Sequence, residues 1–345
     1  MPATFHRSSR RMDHIDLNVR RCLLASLAPS TLVTYRSGFR SYQLFCRQTS
    51  CSMFPLIEYN LQRYVVSMAN RIAFKTIKVY LCGVQFFSFL IGCNVRLSSF
   101  PRLYYVLRGI RRLQGLRFHR PRRLPITYQH LLLLFHRVHM QQYTDFQSLM
   151  VRTTCALAFF GLLRCSEYVS PRRRSFDADA TLLVQDISFN SALNIMYVRI
   201  KASKTDPFRT GCTIRVSAVP GMICPLSLMR EYLRRHPTGA GPLFVWEEGH
   251  YLIRSDIVLI LRRCFPGQIN LNTHSFRIGG ASAAASAGVS DSHIQILGRW
   301  SSDAYRRYIH ASDELVFRLG QALVSGLPST RVWDSLMGTS VSYVG

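Results

Sequence analysis

Residues 273–280 read Thr-His-Ser-Phe-Arg-Ile-Gly-Gly, and residues 297–310 read Leu-Gly-Arg-Trp-Ser-Ser-Asp-Ala-Tyr-Arg-Arg-Tyr-Ile-His. In the first stretch Thr273 is placed to cap a helix over 274–287. Three-residue spacing then puts His274 and Arg277 on one helix face, where both can reach one phosphate. The small residues of 279–288 suit close packing of that helix. In the second stretch Gly298 ends a short helix over 292–297, and Ser302 can cap the next, predicted over 303–309. That helix presents Tyr305 and Tyr308 at i and i+3, beside Arg306 and Arg307. Each stretch alone is weak. His119 and Arg122 repeat the His-x-x-Arg spacing, and about one match is expected by chance in a chain so rich in arginine. A tyrosine pair in a basic helix is also what a packed aromatic pair looks like.

Two further islands precede these. Gly161-Leu-Leu-Arg-Cys-Ser-Glu167 closes an apolar helix predicted over 145–163 and at once places a charge, Arg164. Glu167 lies three residues on, close enough to orient or neutralise it. A charge at the end of a buried helix is costly unless paired or used, and taken alone this island reads first as a structural ion pair. Between this island and the His-x-x-Arg, the pattern changes to strand-like alternation over 182–189, 194–200 and 213–219. The last two segments are joined by a turn that carries Lys204. Lysine at a hairpin tip is often only solubilising.

Charge decides the class of partner. Lys+Arg number 44 against 18 Asp+Glu, a formal net charge of +26. Such an excess points to a polyanion. Only four of the basic residues are lysine: Lys75, Lys78, Lys201 and Lys204. Arginine offers a planar fork of donors that grips phosphate bidentately. The longest apolar run, 153–163, is bounded by Arg152 and Arg164, far short of the roughly 20 residues a membrane span needs. Residues 1–16 are basic and polar, with no apolar stretch of the kind a secretory signal requires. The ten cysteines include no Cys-x-x-Cys, and Cys82, Cys93 and Cys155 sit in apolar helical stretches; buried, reduced thiols are expected.

At 345 residues the chain is long enough for two domains. A basic arm is read over 1–22, with Arg7, Arg10, Arg11, Arg20 and Arg21. Helical periodicity then holds over 23–116. The first helix there is capped by Ser30 and runs to Gln48, the next opens at Pro55 and ends at Ala69, a third covers 73–91, and a fourth follows Pro101. The fourth carries Tyr104, Leu107 and Ile110 on its dry side and Arg102, Arg108, Arg111 and Arg112 on its wet side. Candidate DNA contacts are Lys75, Lys78, Arg108, Arg111 and Arg112 on these helices, with Arg122 and Arg123 in a basic, proline-punctuated linker over 117–125. The second domain spans 126–325, with other helices expected over 129–138, 225–235, 255–264 and 313–325. A tail, 326–345, has no clear period. The fold class expected is therefore mainly α with a small antiparallel sheet (α+β).

In chain order the islands read Arg164, the hairpin lysine Lys204, His274-x-x-Arg277, then Gly298-Arg299-Trp300 and Tyr308. This constellation resembles the tyrosine recombinase and integrase family, of the eukaryotic transposon-borne kind (DIRS-type and Crypton elements), where Gly-Arg-Trp-Ser-Ser before the tyrosine is familiar. The likeness covers about 30–320 and is specific over 155–310. It implies a helical, SAM-like DNA-binding domain followed by a recombinase catalytic domain. It also implies cleavage and rejoining of double-stranded DNA through a 3′-phosphotyrosyl intermediate on Tyr308, without metal, ATP or other cofactor. Arg164 and Arg277 would hold the phosphate, Lys204 would protonate the leaving oxygen and His274 would assist proton transfer. One departure stands out. Many family members place His or Trp nine residues before the tyrosine, a position held here by Arg299, with Trp300 next. The sixth role is open between these two. The resemblance further implies dimers that pair into tetramers on DNA, no membrane, nuclear residence and a role in mobile-element integration or excision.

Three other readings remain open at this stage. A metal-dependent transposase would need a carboxylate cluster, and only 18 acids occur. A catalytically inactive or domesticated DNA-binding protein would need the charge but not all five of Arg164, Lys204, His274, Arg277 and Tyr308. A type IB topoisomerase would use the same chemistry without strand exchange.

Overall fold

The computed structural model describes residues 14–118, 123–140, 143–204 and 206–307. The chain packs as two units, Met1–Arg120 and Pro121–Gly345. Arg7, Arg10 and Arg11, the helix expected over 313–325 and the tail 326–345 lie outside the described residues.

The first unit is helical. α1 (His14–Ala25) buries no residue. It begins inside the segment read from sequence as a basic arm, because Ile15, Val19 and Leu23 form a short apolar stripe too brief to stand out beside Arg20 and Arg21. α2 (Pro29–Gln48), α3 (Glu58–Ala69), α4 (Phe74–Leu90) and α5 (Pro101–Gln114) enclose a core that includes Tyr42, Leu61, Tyr64, Ile77 and Val84. Four details differ from what the sequence suggests. Pro29 starts α2 directly after Ala28, so Ser30 lies within the first turn and does not cap; proline's fixed φ presets that turn. Pro55 lies in the loop, and α3 begins at Glu58. Tyr104 is exposed, and Leu103 and Ile110 are what α5 buries. Cys82 is exposed as well, on the outer side of α4.

Two polar locks fix α5. The Glu58 carboxylate accepts from the Leu103 N–H at 2.9 Å, satisfying an open donor at the start of α5. The Gln114 carbonyl oxygen accepts from the Phe74 N–H at 2.8 Å, while its amide donates to Ala69 O and Ile72 O. The first turn of α4, with Lys75 and Lys78, is thereby held beside the last turn of α5, with Arg111 and Arg112. All four are exposed, as are Arg102 and Arg108.

The second unit is built around α7 (Asp145–Phe160), which is buried on nearly every side. Its apolar residues are not confined to one stripe, as expected of a helix enclosed by others. A capping box between Thr144 and Gln147 starts it. α6 (Tyr128–Met140), α8 (Cys165–Tyr168), α9 (Pro225–Arg234) and α11 (Ser275–Ser286) pack against it, while α10 (Arg254–Cys264) packs on α6 and α12 (Asp291–Gly298) on α11. An antiparallel sheet, ordered β1-β2-β3, covers one side: β1 (Ile187–Asn190), β2 (Ile195–Ile200) and β3 (Cys212–Ser217). Met196 pairs with Val216 and Val198 with Ile214, and these four side chains face the core. The first strand is shorter than the alternation over 182–189 suggests. Leu182 and Leu183 are buried, but the chain there turns through a single 3-10 turn, and the Asp186 carboxylate accepts from the Leu183 N–H.

The small-residue helix α11 lies against α7 and the segment before α6. A Cβ at Gly280 would meet Phe159 O at 2.5 Å, and one at Gly279 would run into the Ile126 carbonyl. Ile126 N–H in turn donates to Ser275 O at 2.9 Å. The sequence gives α11 a Thr273 cap, but its N-cap is His274, and Thr273 is buried against Cys165. Residues 303–307 form a 3-10 helix rather than α-helix. Among the described residues no helix is long and apolar enough to cross a membrane.

Candidate active site

After α7 ends at Gly161, the chain turns and Arg164 becomes the N-cap of α8. Glu167, at the third position of that helix, accepts from the Arg164 N–H at 2.8 Å and from its guanidinium at 2.9 Å. The oxygen that accepts from the N–H, Oε2, also accepts from Arg299 Nη2 at 2.8 Å. The Glu167 side chain is 0% exposed, and those of Arg164 and Arg299 are 15% and 16% exposed. One buried carboxylate therefore orients two guanidiniums, and the trio keeps a surplus positive charge. Arg299 Nε and Nη1 are buried without a hydrogen-bond partner among the described residues. Donors left so are costly unless an acceptor is brought to them.

Lys204 sits on the loop between β2 and β3. Asp206 closes that loop by accepting from the Gly211 N–H at 2.7 Å and the Thr210 hydroxyl at 3.0 Å, and these bonds hold its carboxyl below the usual range. The two lysines of the hairpin separate clearly. Lys201 is paired with Asp186 at 2.9 Å, whereas Lys204 is exposed and forms no ion pair among the described residues.

His274 and Arg277 diverge although they share a helix face. Arg277 is 0% exposed. Its guanidinium donates to the carbonyls of Leu162 and Gly298 and lies 4.2 Å from the Trp300 ring centroid, a cation–π stack. It ties the end of α7 to the end of α12. Trp300 lies across Gly298, where any Cβ would fall inside the indole. The residue that turns left-handed at the end of α12 is Arg299, with φ 55°, and not Gly298 as the sequence suggests. Glycine is required at 298 by the indole packed on it. Tyr305 is buried too, its ring tilted against Trp300 and its hydroxyl donating to Asp291 at 3.0 Å.

His274 is half-buried. Burial first, and then the charges of Arg123, Arg277, Arg164 and Arg254, push its imidazole pKa down to about 4. The imidazole is thus neutral at physiological pH, able to accept a proton. Because the folded value lies below the unfolded one of about 6.5, the unfolded state binds the proton more readily between them. The associated stability is complete above pH 6.5 and is lost as pH falls toward 4. We expect the His274 ring resonances of the free protein to stay those of neutral imidazole at pH 6. A midpoint near 6.5 would contradict this geometry.

Arg123, Arg164, Lys204 and His274 line one cavity of about 730 Å³, with Thr273 and Arg254 also on its wall. Arg277, Arg299 and Trp300 are not on that wall. Arg299 opens instead onto a neighbouring cavity of about 430 Å³ beside Ser203 and Asp206. Tyr308 and Arg122 lie outside the described residues. Arg254 has no place in the sequence reading. Its one signal there is a cation at the first position of a helix, where the macrodipole favours acids. Among the described residues no group of three or more His, Cys, Asp or Glu is placed to hold a metal ion.

A scan against protein-family models finds no match, and a search of curated proteins by sequence finds none either. Solved structures do match. The Tn1549 transposon integrase, in complex with transposon right end DNA, superposes with a TM-score of 0.57 at 13% identity, covering 89% of this chain and 98% of that one. The fold is that of the tyrosine recombinases. Two other members of that fold agree. The XerH site-specific recombinase bound to palindromic difH substrate gives a TM-score of 0.54 at 14% identity, covering 79% of this chain and 73% of that one. A lambda integrase dimer bound to a COC′ core site gives 0.54 at 12%, covering 85% and 75%. The mainly helical second unit with its three-stranded antiparallel sheet is the architecture of the tyrosine-recombinase catalytic domain.

Proposed function

We propose that this chain is a site-specific tyrosine recombinase or integrase that cleaves and rejoins double-stranded DNA through Tyr308. The observation that carries this reading is the meeting of Arg164, Lys204 and His274 on the wall of one cation-rich cavity, although they are far apart in sequence. Of the pair Tyr305 and Tyr308, Tyr305 is already committed to Asp291 and Trp300, which favours Tyr308 as nucleophile.

The chemistry needs no group beyond these side chains. The Tyr308 oxygen attacks phosphorus and the bond from phosphorus to the 5′ oxygen breaks. The tyrosine proton passes to neutral His274, and Lys204 gives a proton to the departing 5′ oxygen. Arg164 stabilises the charge that grows on the non-bridging oxygens. Arg277 serves by holding Trp300 and the end of α12. The 3′-phosphotyrosyl bond keeps the energy of the broken linkage, so a 5′ hydroxyl from another strand reverses the step. The exposed basic residues Lys75, Lys78, Arg108, Arg111, Arg112 and Arg123 would grip backbone phosphates, releasing counterions. Exchange between two duplexes requires paired copies on DNA, hence dimers and tetramers. Mobile-element integration or excision, in a nucleus, is the setting that the Gly-Arg-Trp-Ser-Ser phrasing suggests.

The test is incubation of the full chain with nicked duplexes carrying its own element's ends, in EDTA, followed by a denaturing gel. A covalent protein–DNA complex is expected. Tight binding with no complex on any end sequence would make the chain a DNA binder without cleavage.

A further inference from the structure

Two cations of the cavity have no part in the chemistry above. The chain after α8 pairs with the chain before α10: Ser170 N–H donates to Leu252 O at 2.9 Å and Ser170 bridges Ile253. This sets Arg254, the first residue of α10, beside the short helix whose N-cap is Arg164. A cation there opposes the macrodipole of its own helix. The acid of that turn does not compensate it. Asp256 is buried and engaged by Arg173 at 2.5 Å, by the Trp246 indole at 3.2 Å and by the Ile253 N–H at 3.1 Å. Arg254 is exposed and forms no ion pair among the described residues, and the same is true of Arg123.

Charge and volume agree. The cavity wall carries Arg123, Arg164, Lys204 and Arg254 against one acid, Asp177, which lies 3.5 Å from Arg209. One phosphodiester brings a single negative charge. It is also the size of a few waters, each about 30 Å³ in the liquid, and would leave most of the 730 Å³ unfilled. We infer that Arg254, with Arg123, grips the phosphate adjacent to the scissile one, so that the cavity takes a two-phosphate step of the DNA strand. This rests on the recombinase reading and adds a positioning residue to it: Arg254 fixes the strand's register and leaves bond breaking to Arg164, Lys204 and His274.

The test uses the full chain and two small probes, thymidine 3′,5′-bisphosphate and thymidine 5′-monophosphate, titrated while the His274 ring is followed by NMR. Wild type should bind the bisphosphate about tenfold more tightly, as expected of one added charge-assisted contact. R254A should remove that advantage and leave monophosphate affinity within about twofold, with R254K intermediate. R262A, which removes the same charge from the other end of α10, should change neither. If R254A weakens both probes in equal proportion, or no more than R262A does, Arg254 contributes only to the general field and the inference falls alone. If R164A leaves both affinities intact, the cavity is not a phosphate site, and the proposed function falls with it.

Discussion

Replacing Glu167 with alanine is expected to destabilise the second unit by about 3–5 kcal/mol and to abolish DNA cleavage. The cause is the arithmetic of charge. Glu167 is the shared carboxylate of Arg164 and Arg299, at 2.9 and 2.8 Å, and its side chain is wholly buried. Removing it leaves two guanidiniums, each about five-sixths buried, facing each other with no anion. It also frees the Arg164 N–H that Glu167 caps. Glu167→Gln keeps one acceptor oxygen, puts an NH2 donor in place of the other and loses the charge, so its loss should be smaller than that of alanine but still substantial. Urea unfolding compared across the two variants and wild type checks the order. A loss under about 1 kcal/mol for the alanine variant would mean the trio behaves as a surface pair, contrary to its burial. Bound DNA phosphate should partly rescue Glu167→Gln, because it supplies the missing anion.

Gly298→Ala is the second large effect. The added methyl must displace the Trp300 indole, which lies directly over residue 298. Trp300 cannot move alone, because it is stacked on Arg277 and packed against Tyr305. Overpacking of this kind costs about 1–3 kcal/mol, and here it also breaks the link that Arg277 makes between Leu162 and Gly298. We expect a lower melting temperature and a cleavage rate reduced by at least about tenfold, while DNA affinity, carried by the exposed arginines, changes little. Parallel melting and filter-binding measurements separate the two. An unchanged melting temperature would show that the indole does not rest on residue 298.

These two residues also mark what could be read from sequence and what could not. Periodicity located α2 to α7 and α9 to α12 to within a few residues, since a helix as apolar as α7 or as striped as α5 leaves a strong pattern, whereas the single turn of α8 is too short to leave one. The order Arg164, Lys204, His274-x-x-Arg277, Gly298-Arg299-Trp300 gave the resemblance, and the structure brings Arg164, Lys204 and His274 to one cavity wall. Spacing alone could not say that Arg277 would point away from that wall. Its direction is set by carbonyls 115 and 21 residues distant in the chain. Nor could it separate Arg299 from Trp300. Glu167 takes the arginine into an ion pair, and Arg277 takes the tryptophan into a stack, both long-range facts. Gly298 was legible as a helix end, but its reason is the indole packed on it. Arg254 carried no motif at all. Only the pairing of Ser170 with the chain before α10 brings it to the site.

The measurement that bears most directly on the account is peptide mapping of the covalent complex. The chain is reacted with a nicked duplex carrying the site it binds, in EDTA, then denatured, digested with nuclease and protease, and analysed by mass spectrometry. A single adduct is expected, a nucleotide joined through its 3′ phosphate to Tyr308, and none in Tyr308→Phe. An adduct on Tyr305 or any other residue, or one joined through a 5′ phosphate, would contradict it.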